Sequence, residues 1–201
     1  MLEQHYPEAE CALDYTSPAE LLVATILSAQ ATDVGVNKAT PALFSKFRTP
    51  ADYAALKSPE ELEPYIATIG LYRNKAKAIH AAMQMIVNDF GGEVPNTMED
   101  LLKLRGVARK TANVVLGNAF HINEGVVVDT HVGRLAERFG LTQHTDPVKI
   151  ERDLMALFPR ESWTKLSHML ILHGRNVCKA RGWSCAEHEI CRAFCSNVNP
   201  R

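Results

Sequence analysis

Leu104 to Val115, LRGVARKTANVV, constrains the fold more than any other stretch of the chain. Thr97-x-x-Asp100 signals the start of a short helix running through Leu104, and a second helix is expected from Arg109 to Ala119. Only Arg105-Gly106-Val107-Ala108 lies between them. Two helices joined so closely fold back as a tight hairpin, and the second points its unbonded backbone N–H groups outward. Those groups and the helix dipole make an anion site. Arg109 and Lys110 fall in the first turn of that helix, where cations oppose the dipole; an anionic partner such as a phosphate resolves the conflict. A plain helix–turn–helix corner with exposed basic residues accounts for the local pattern equally well.

The rest of the chain also reads as helix. Ser17-Pro18-Ala19-Glu20 is a capping box with proline in the first turn, followed by an apolar run, Leu21 to Leu27, that looks buried on most sides. Ser58-Pro59-Glu60-Glu61 repeats the signal. Tyr72 to Phe90 carries Ala76, Ile79, Ala82, Met83 and Ile86 at helical period, and Gly91-Gly92 stops it. Gly125 to Asp129 is β-branched and reads as an extended segment delivering Asp129 to a helix from Thr130 to Phe139. Further helices are expected near Pro147 to Leu157 and Ser162 to Val177. No apolar run approaches a membrane span and no leader pattern is visible, so the expectation is a cytoplasmic protein, where clustered cysteines bind metal more often than they pair.

Net charge is −1, but the charge is unevenly spread. Residues 134–201 hold eleven Lys and Arg against seven Asp and Glu, a balance of +4, which leaves −5 for residues 1–133. Within that acidic part, Leu101 to Asn123 carries Lys103, Arg105, Arg109 and Lys110 with no acid, and Arg73, Lys75 and Lys77 form a second acid-free group. Local clustering, more than the total, steers a polyanion.

LRGVARKTANVV resembles the helix-hairpin-helix motif of the endonuclease III family of DNA glycosylases. LLVATILSAQATDVGVNKAT (Leu21 to Thr40), TIGLYRNKA (Thr68 to Ala76), VVDTHVGR (Val127 to Arg134) and LILHGRNVC (Leu170 to Cys178) resemble blocks of the same family in the same order, covering nearly all of Ser17 to Cys195. The resemblance implies an all-α, two-lobe fold: a helical barrel domain over 17–125 with the hairpin at about 99–119, and a second helical domain formed by 1–16 and 126–201, with an iron–sulfur loop at 178–195. Double-stranded DNA is expected to cross the cleft between the lobes of a monomer, with Lys110 and Asp129 facing each other at its mouth. In a bacterial cell the protein would be nucleoid-associated.

A glycosylase flips its target base out of the duplex. By resemblance Lys110 is the nucleophile at C1′ and Asp129 its partner. A lysine attacks only as a neutral amine, so burial or neighbouring cations must destabilise its ammonium. Attack gives an imine, an electron sink, and loss of a sugar proton then breaks the strand; one lysine implies both base removal and abasic-site lyase activity. Asp129 is also a natural N-cap for the helix starting at Thr130. Gln30 resembles the residue that fills the gap left by the flipped base, and Leu71 the apolar wedge that enters the stack. Asp33 and His131 resemble pocket residues. Arg105, Gly106, Ala108 and Arg109 of the hairpin, with Lys179 and Arg181, are expected on the DNA backbone.

Two departures stand out. Where the family hairpin usually reads Leu-Pro-Gly-Val-Gly-Arg-Lys, Arg105 replaces the proline and Ala108 the second glycine; the chain also begins late against the family pattern. The family binds a [4Fe-4S] cluster through Cys-x6-Cys-x2-Cys-x5-Cys. Cys178 and Cys185 match the first pair, but His188 and Phe194 occupy the later positions. Cys191 and Cys195 are available instead, giving Cys-x6-Cys-x5-Cys-x3-Cys. A [4Fe-4S] cluster on these four, a zinc site using them or His188, and a site without metal all remain open, with Cys191 preferred over His188. Cys11 stands apart. The expected activity is that of a bifunctional glycosylase and lyase on oxidised pyrimidines. The rivals are a monofunctional mismatch or adenine glycosylase, disfavoured by Lys110 and by the lack of a further C-terminal domain, and a non-catalytic DNA-binding module.

Overall fold

A computed structural model describes residues 1–181 and 185–198; among them there is helix and irregular chain but no strand. The helices are α1 (Leu2–His5), α2 (Pro18–Ser28), α3 (Asp33–Lys46), α4 (Pro50–Ala54), α5 (Glu63–Ile66), α6 (Tyr72–Asp89), α7 (Met98–Leu101), α8 (Arg109–Ala119), α9 (Thr130–Arg138), α10 (Pro147–Leu157), α11 (Trp163–Asn176) and α12 (Glu189–Phe194). They form two compact units, Ala12–Ile122 and Met1–Cys11 with the chain from Asn123 onward. No described helix is long and apolar enough to cross a membrane.

The first unit is built around α2. Ala19 and every residue from Leu21 to Leu27 are buried, because α3, α6 and α8 pack around the helix. Each fully buried leucine there contributes about 1.5–3 kcal/mol. Ser17 Oγ accepts from Glu20 N at 3.2 Å. The Glu20 carboxylate reaches one residue further back than a capping box requires, accepting from Thr16 N and Thr16 Oγ1. In α6 the five apolar residues expected on the buried face are all buried. The helix ends where Gly91 and Gly92 take left-handed backbone, with Gly92 N donating to Ile86 O at 3.0 Å. Ser58 behaves differently from Ser17: it makes no cap to the backbone, and Glu61 instead accepts from Lys57 N at 2.9 Å. The segment becomes a 3-10 turn at Pro59–Leu62 before α5.

In the hairpin, α7 ends at Leu101, earlier than the pattern expects. The chain then tightens: Lys103 N donates to Asp100 O, Leu104 N to Leu101 O and Val107 N to Leu104 O, each bond spanning three residues. Gly106 makes the reversal with φ +83, and a Cβ there would meet the Ala78 Cβ at 2.9 Å. Both the backbone and the space therefore demand glycine. A Gly106→Ala protein is expected to lose about 2–4 kcal/mol of stability, the combined cost of left-handed backbone and overpacking. A thermal melt checks this; an unchanged midpoint would show that the hairpin can shift away from α6 at no cost.

The second unit packs Val132, Leu135, Ala136, Ile150, Leu154, Leu166 and Leu170 of α9, α10 and α11 into one core, and the four tail cysteines belong to it. Gly125 to Asp129, whose last residue has extended backbone, runs as irregular chain without a ladder partner. Its buried Val127 amide is satisfied by Ser167 Oγ of α11 at 2.9 Å, which explains how β-branched chain enters a helical unit without an orphaned N–H. α1 is fastened by Lys165 Nζ donating to Glu3 at 2.9 Å and by contact between His5 and Glu189.

Candidate nucleic-acid interface and metal centre

Ser17, Thr32, Thr49, Thr97, Asp129 and Asp146 each cap their own helix through a side-chain oxygen. α8 has no such cap. Its N-cap is Ala108, extended at φ −99 and ψ 171, whose methyl group can accept nothing. The N-cap side chain thus offers no acceptor to the first-turn amides of α8, the arrangement that suits an anion. Arg105, Gly106, Ala108 and Lys110 are exposed around it and Arg109 is half-buried. Because Ala108 takes ordinary extended backbone, its replacement of a glycine brings no strain.

Other members of the acid-free basic groups serve different ends. Lys103 lies 2.7 Å from Asp100 and 3.6 Å from Glu99, and Arg73 lies 3.7 Å from Glu63. These are exposed pairs worth at most about 1 kcal/mol each. Lys75 points inward. It is only 6% exposed, and its Nζ donates to Leu27 O at 2.9 Å. Acid-free in sequence was not acid-free in space, because the acids arrive from the preceding turn and from α5.

Gln30 and Leu71 share a property that no sequence pattern showed. Both take left-handed backbone, at φ 55 and 60, which costs a side-chain-bearing residue about 1–2 kcal/mol. Leu71 sits at the N-cap of α6 without a side-chain cap bond and is 60% exposed. Gln30, just past the end of α2, is exposed as well. Asp33 opens α3 and is half-buried, behind the Thr32 cap.

Asp129 closes the N-terminus of α9. One carboxylate oxygen, Oδ1, accepts from His131 N and Val132 N, both at 2.8 Å. His131 is half-buried on the same turn, with Nδ1 3.3 Å from Arg134 Nη2. The same Nη2 donates to Gly174 O at 2.8 Å and to Cys178 O at 3.0 Å. Arg138, one turn further on, donates to Lys179 O at 2.9 Å and to Cys178 Sγ at 3.1 Å. α9 therefore carries Asp129 at one end and grips the start of the cysteine loop with two arginines that sequence reasoning passed over. Gly174 permits this, since a Cβ there would stand 3.0 Å from Arg134 Nη2 and 3.1 Å from His131 Cβ.

Cys178, Cys185 and Cys191 place their sulfurs within 4.8 Å of one another, and this is the one such group of potential metal ligands among the described residues. Cys195 Sγ lies 3.9 Å from Cys178 Sγ, and all four residues are buried. The irregular spacing has a helical reason. Cys191 and Cys195 are one turn apart across α12 and its C-cap, with Cys195 N donating to Cys191 O at 2.9 Å, so both project to one face. His188 does other work: it caps α12 by accepting from Ile190 N at 3.3 Å, and its ring lies tilted against that of His5 and edge-on to that of His173. Phe194 is largely exposed and Cys11 is half-buried, outside the thiol group. Lys179 and Arg181 are exposed; Gly182, Trp183 and Ser184 of the same loop lie outside the described residues.

Four packed thiols suit a cation. Burial and the neighbouring thiols push the Cys191 thiol well up, so its thiolate forms only against a positive charge. His173 supports that state. Burial pushes it down to about 4, so its ring is neutral. Its Nδ1 lies 2.8 Å from Tyr6 OH and its Nε2 lies 3.3 Å from Cys191 Sγ. With a thiolate at Cys191, both contacts are satisfied when Tyr6 donates to Nδ1 and Nε2–H donates to sulfur, a pattern that orients a metal ligand.

The model of the HhH-GPD superfamily of base excision DNA repair proteins matches residues 23–160. Endonuclease III of Synechocystis sp. is 55% identical over 190 residues, 94% of this chain and 86% of the relative. Endonuclease III of Bacillus subtilis is 49% identical over 90% of this chain and 83% of its own. The structure of a trapped endonuclease III–DNA covalent intermediate superposes with a TM-score of 0.92 at 43% identity, covering 98% of this chain and 92% of that one. A thermostable thymine-DNA glycosylase shares the fold at 21% identity, with a TM-score of 0.83. The chain belongs to the HhH-GPD superfamily and, within it, to the endonuclease III family.

Proposed function

We propose that this protein is a bifunctional DNA glycosylase and abasic-site lyase of base excision repair, acting on oxidised pyrimidines in duplex DNA. The observation that carries the reading is the uncapped first turn of α8 with Lys110 exposed upon it, in a chain of the endonuclease III family. The α8 amides hold a backbone phosphate, with Arg105, Gly106, Ala108 and Arg109 around it. Leu71 wedges into the stack and Gln30 fills the space the damaged nucleotide leaves. Asp33 and His131 contribute to the base pocket, and Lys179 and Arg181 add salt-dependent contacts to phosphates. The barrel domain is the region 17–125; 1–16 with 126–201 forms the other. The protein works as a monomer in the cytoplasm, at the nucleoid in a bacterial cell.

Lys110 Nζ, as a free amine, bonds to C1′ while the glycosidic bond breaks and its electron pair leaves with the base. Opening of the sugar gives a protonated imine. Loss of a C2′ proton then expels the 3′ phosphate, which cuts the strand. Lys110 is exposed in the protein alone, so DNA itself covers the ammonium and removes its water. Asp129 takes the proton from the attacking amine or stabilises the positive sugar. Cys178, Cys185, Cys191 and Cys195 hold a [4Fe-4S] cluster, which fixes the loop carrying Lys179 and Arg181 and takes no part in the chemistry. The irregular spacing admits zinc on the same thiols. Iron analysis and a brown absorbance decide between the metals.

Asp129→Asn separates the two jobs of that residue. Asparagine caps a helix about as well as aspartate, so the melting midpoint is expected to stay nearly unchanged. Excision from a duplex panel of oxidised pyrimidines is expected to fall roughly a hundredfold, the usual worth of a general base. Undiminished excision would reduce Asp129 to a cap.

A further inference from the structure

We infer that Lys75 is a positioning residue that sets the DNA-probing loops of Gln30 and Leu71 in register with each other. The inference rests on the proposed roles of those two residues. α2 ends at Ser28 with no basic residue in its last turn. Thr25 O accepts from Ser28 Oγ and Ser28 O from Ala31 N, which leaves Leu27 O in need of a donor from outside the helix and the helix end in need of a countercharge. α6 supplies what is missing. Lys75 sits in its first turn, its stem is buried, and its ammonium donates to Leu27 O at 2.9 Å, three residues before Gln30. Through its own backbone the same residue donates to Leu71 O at 3.1 Å. One residue is thus bonded at its two ends to the bases of both left-handed turns.

Burying an ammonium disfavours it, and burial does push the Lys75 amine below its ordinary value. A methionine or leucine would fill the same space without that cost, as in most helix contacts. What the ammonium adds is direction: it fixes where α2 stops relative to where α6 starts. Gln30 and Leu71 hold strained backbone only if the surroundings over-determine them, and the Lys75 bridge is a polar link between the two. A residue far from the chemistry that misplaces a group by an ångström is enough to cost large factors.

The test uses the full-length, metal-loaded protein and two DNAs. One is a duplex carrying a stable abasic analogue opposite 2-aminopurine, whose fluorescence rises when its neighbours are unstacked by insertion. The other is a single-stranded abasic oligonucleotide, trapped with borohydride, which needs Lys110 but no wedge. Lys75→Met is expected to raise the duplex Kd roughly tenfold and suppress the fluorescence rise, with single-strand trapping unchanged. Lys75→Arg, which keeps a buried donor, is expected to restore most of the insertion signal. Equal losses on both DNAs, or wild-type insertion by Lys75→Met, overturn the inference. Gln30→Ala and Leu71→Ala identify which idea failed. If they abolish insertion while Lys75→Met does not, the positioning role is wrong; if neither affects insertion, the wedge and gap-filling roles are wrong and the positioning role falls with them.

Discussion

A Lys110→Ala protein mixed with an abasic duplex and borohydride is expected to yield no covalent adduct, and strand cleavage is expected to fall at least about a thousandfold, as when a nucleophile is removed. Binding should change far less. Lys110 is one exposed cation on the first turn of α8, and a single exposed ion pair is worth at most about 1 kcal/mol, under tenfold in Kd. The α8 amides and the Gly106 turn remain in place, since truncating an exposed side chain to alanine favours the helix. This separation of binding from chemistry distinguishes a nucleophile from a phosphate contact. A variant that bound tenfold worse yet trapped normally would make Lys110 a docking residue. Full trapping would move the nucleophile elsewhere, Lys103 being disfavoured by its pairing with Asp100 and Glu99.

The experiment also tells apart the readings that the sequence left open. Neither a monofunctional glycosylase nor a binding module forms an imine to trap, and excision from a damaged duplex separates those two. Family membership makes the bifunctional enzyme the reading of choice, and one gel with two lanes, native chain and Lys110→Ala, is decisive.

What the chain revealed in advance follows a physical pattern. α2, α6, α8, α9, α10 and α11 each carry strong local signals, an apolar face or a clear cap, and they lie where periodicity and capping place them. α3 was missed because Gly35 and Pro41 interrupt it and few of its residues are buried. α12 is six residues long and lies among the clustered cysteines, so no local preference announces it. The four tail cysteines were legible as a group, because thiols in that number need a common reason. Their helical geometry was not, as x3 spacing becomes meaningful only once α12 exists. Left-handed backbone at Gln30 and Leu71 was invisible, since neither is a residue that advertises such a turn. Lys75 read as a surface cation in a basic run, and its burial is a tertiary fact. The grip of Arg134 and Arg138 spans about forty residues of chain, beyond any local pattern.

The largest structural effect is expected at Cys191. All four tail cysteines pack into the core of α9, α10 and α11, so a bound metal ties the chain from Cys178 to Cys195 to the rest of its unit. Cys191→Ser removes a thiolate from the middle of that tie and leaves the Nε2–H of His173 facing a weaker acceptor. The expected results are loss of iron from the purified protein and loss of hydrogen-exchange protection over 185–198, a local opening rather than global unfolding. α6 lies in the other compact unit, and its amides are expected to keep their protection. Duplex binding should weaken and become less salt-dependent as Lys179 and Arg181 lose their fixed places. His188→Ala is the paired control. It costs only an N-cap of α12, about 1 kcal/mol, and should retain iron in full. If His188→Ala lost the metal while Cys191→Ser kept it, the third ligand would be the histidine that occupies the family's cysteine position, and the helical explanation of the x3 spacing would be wrong.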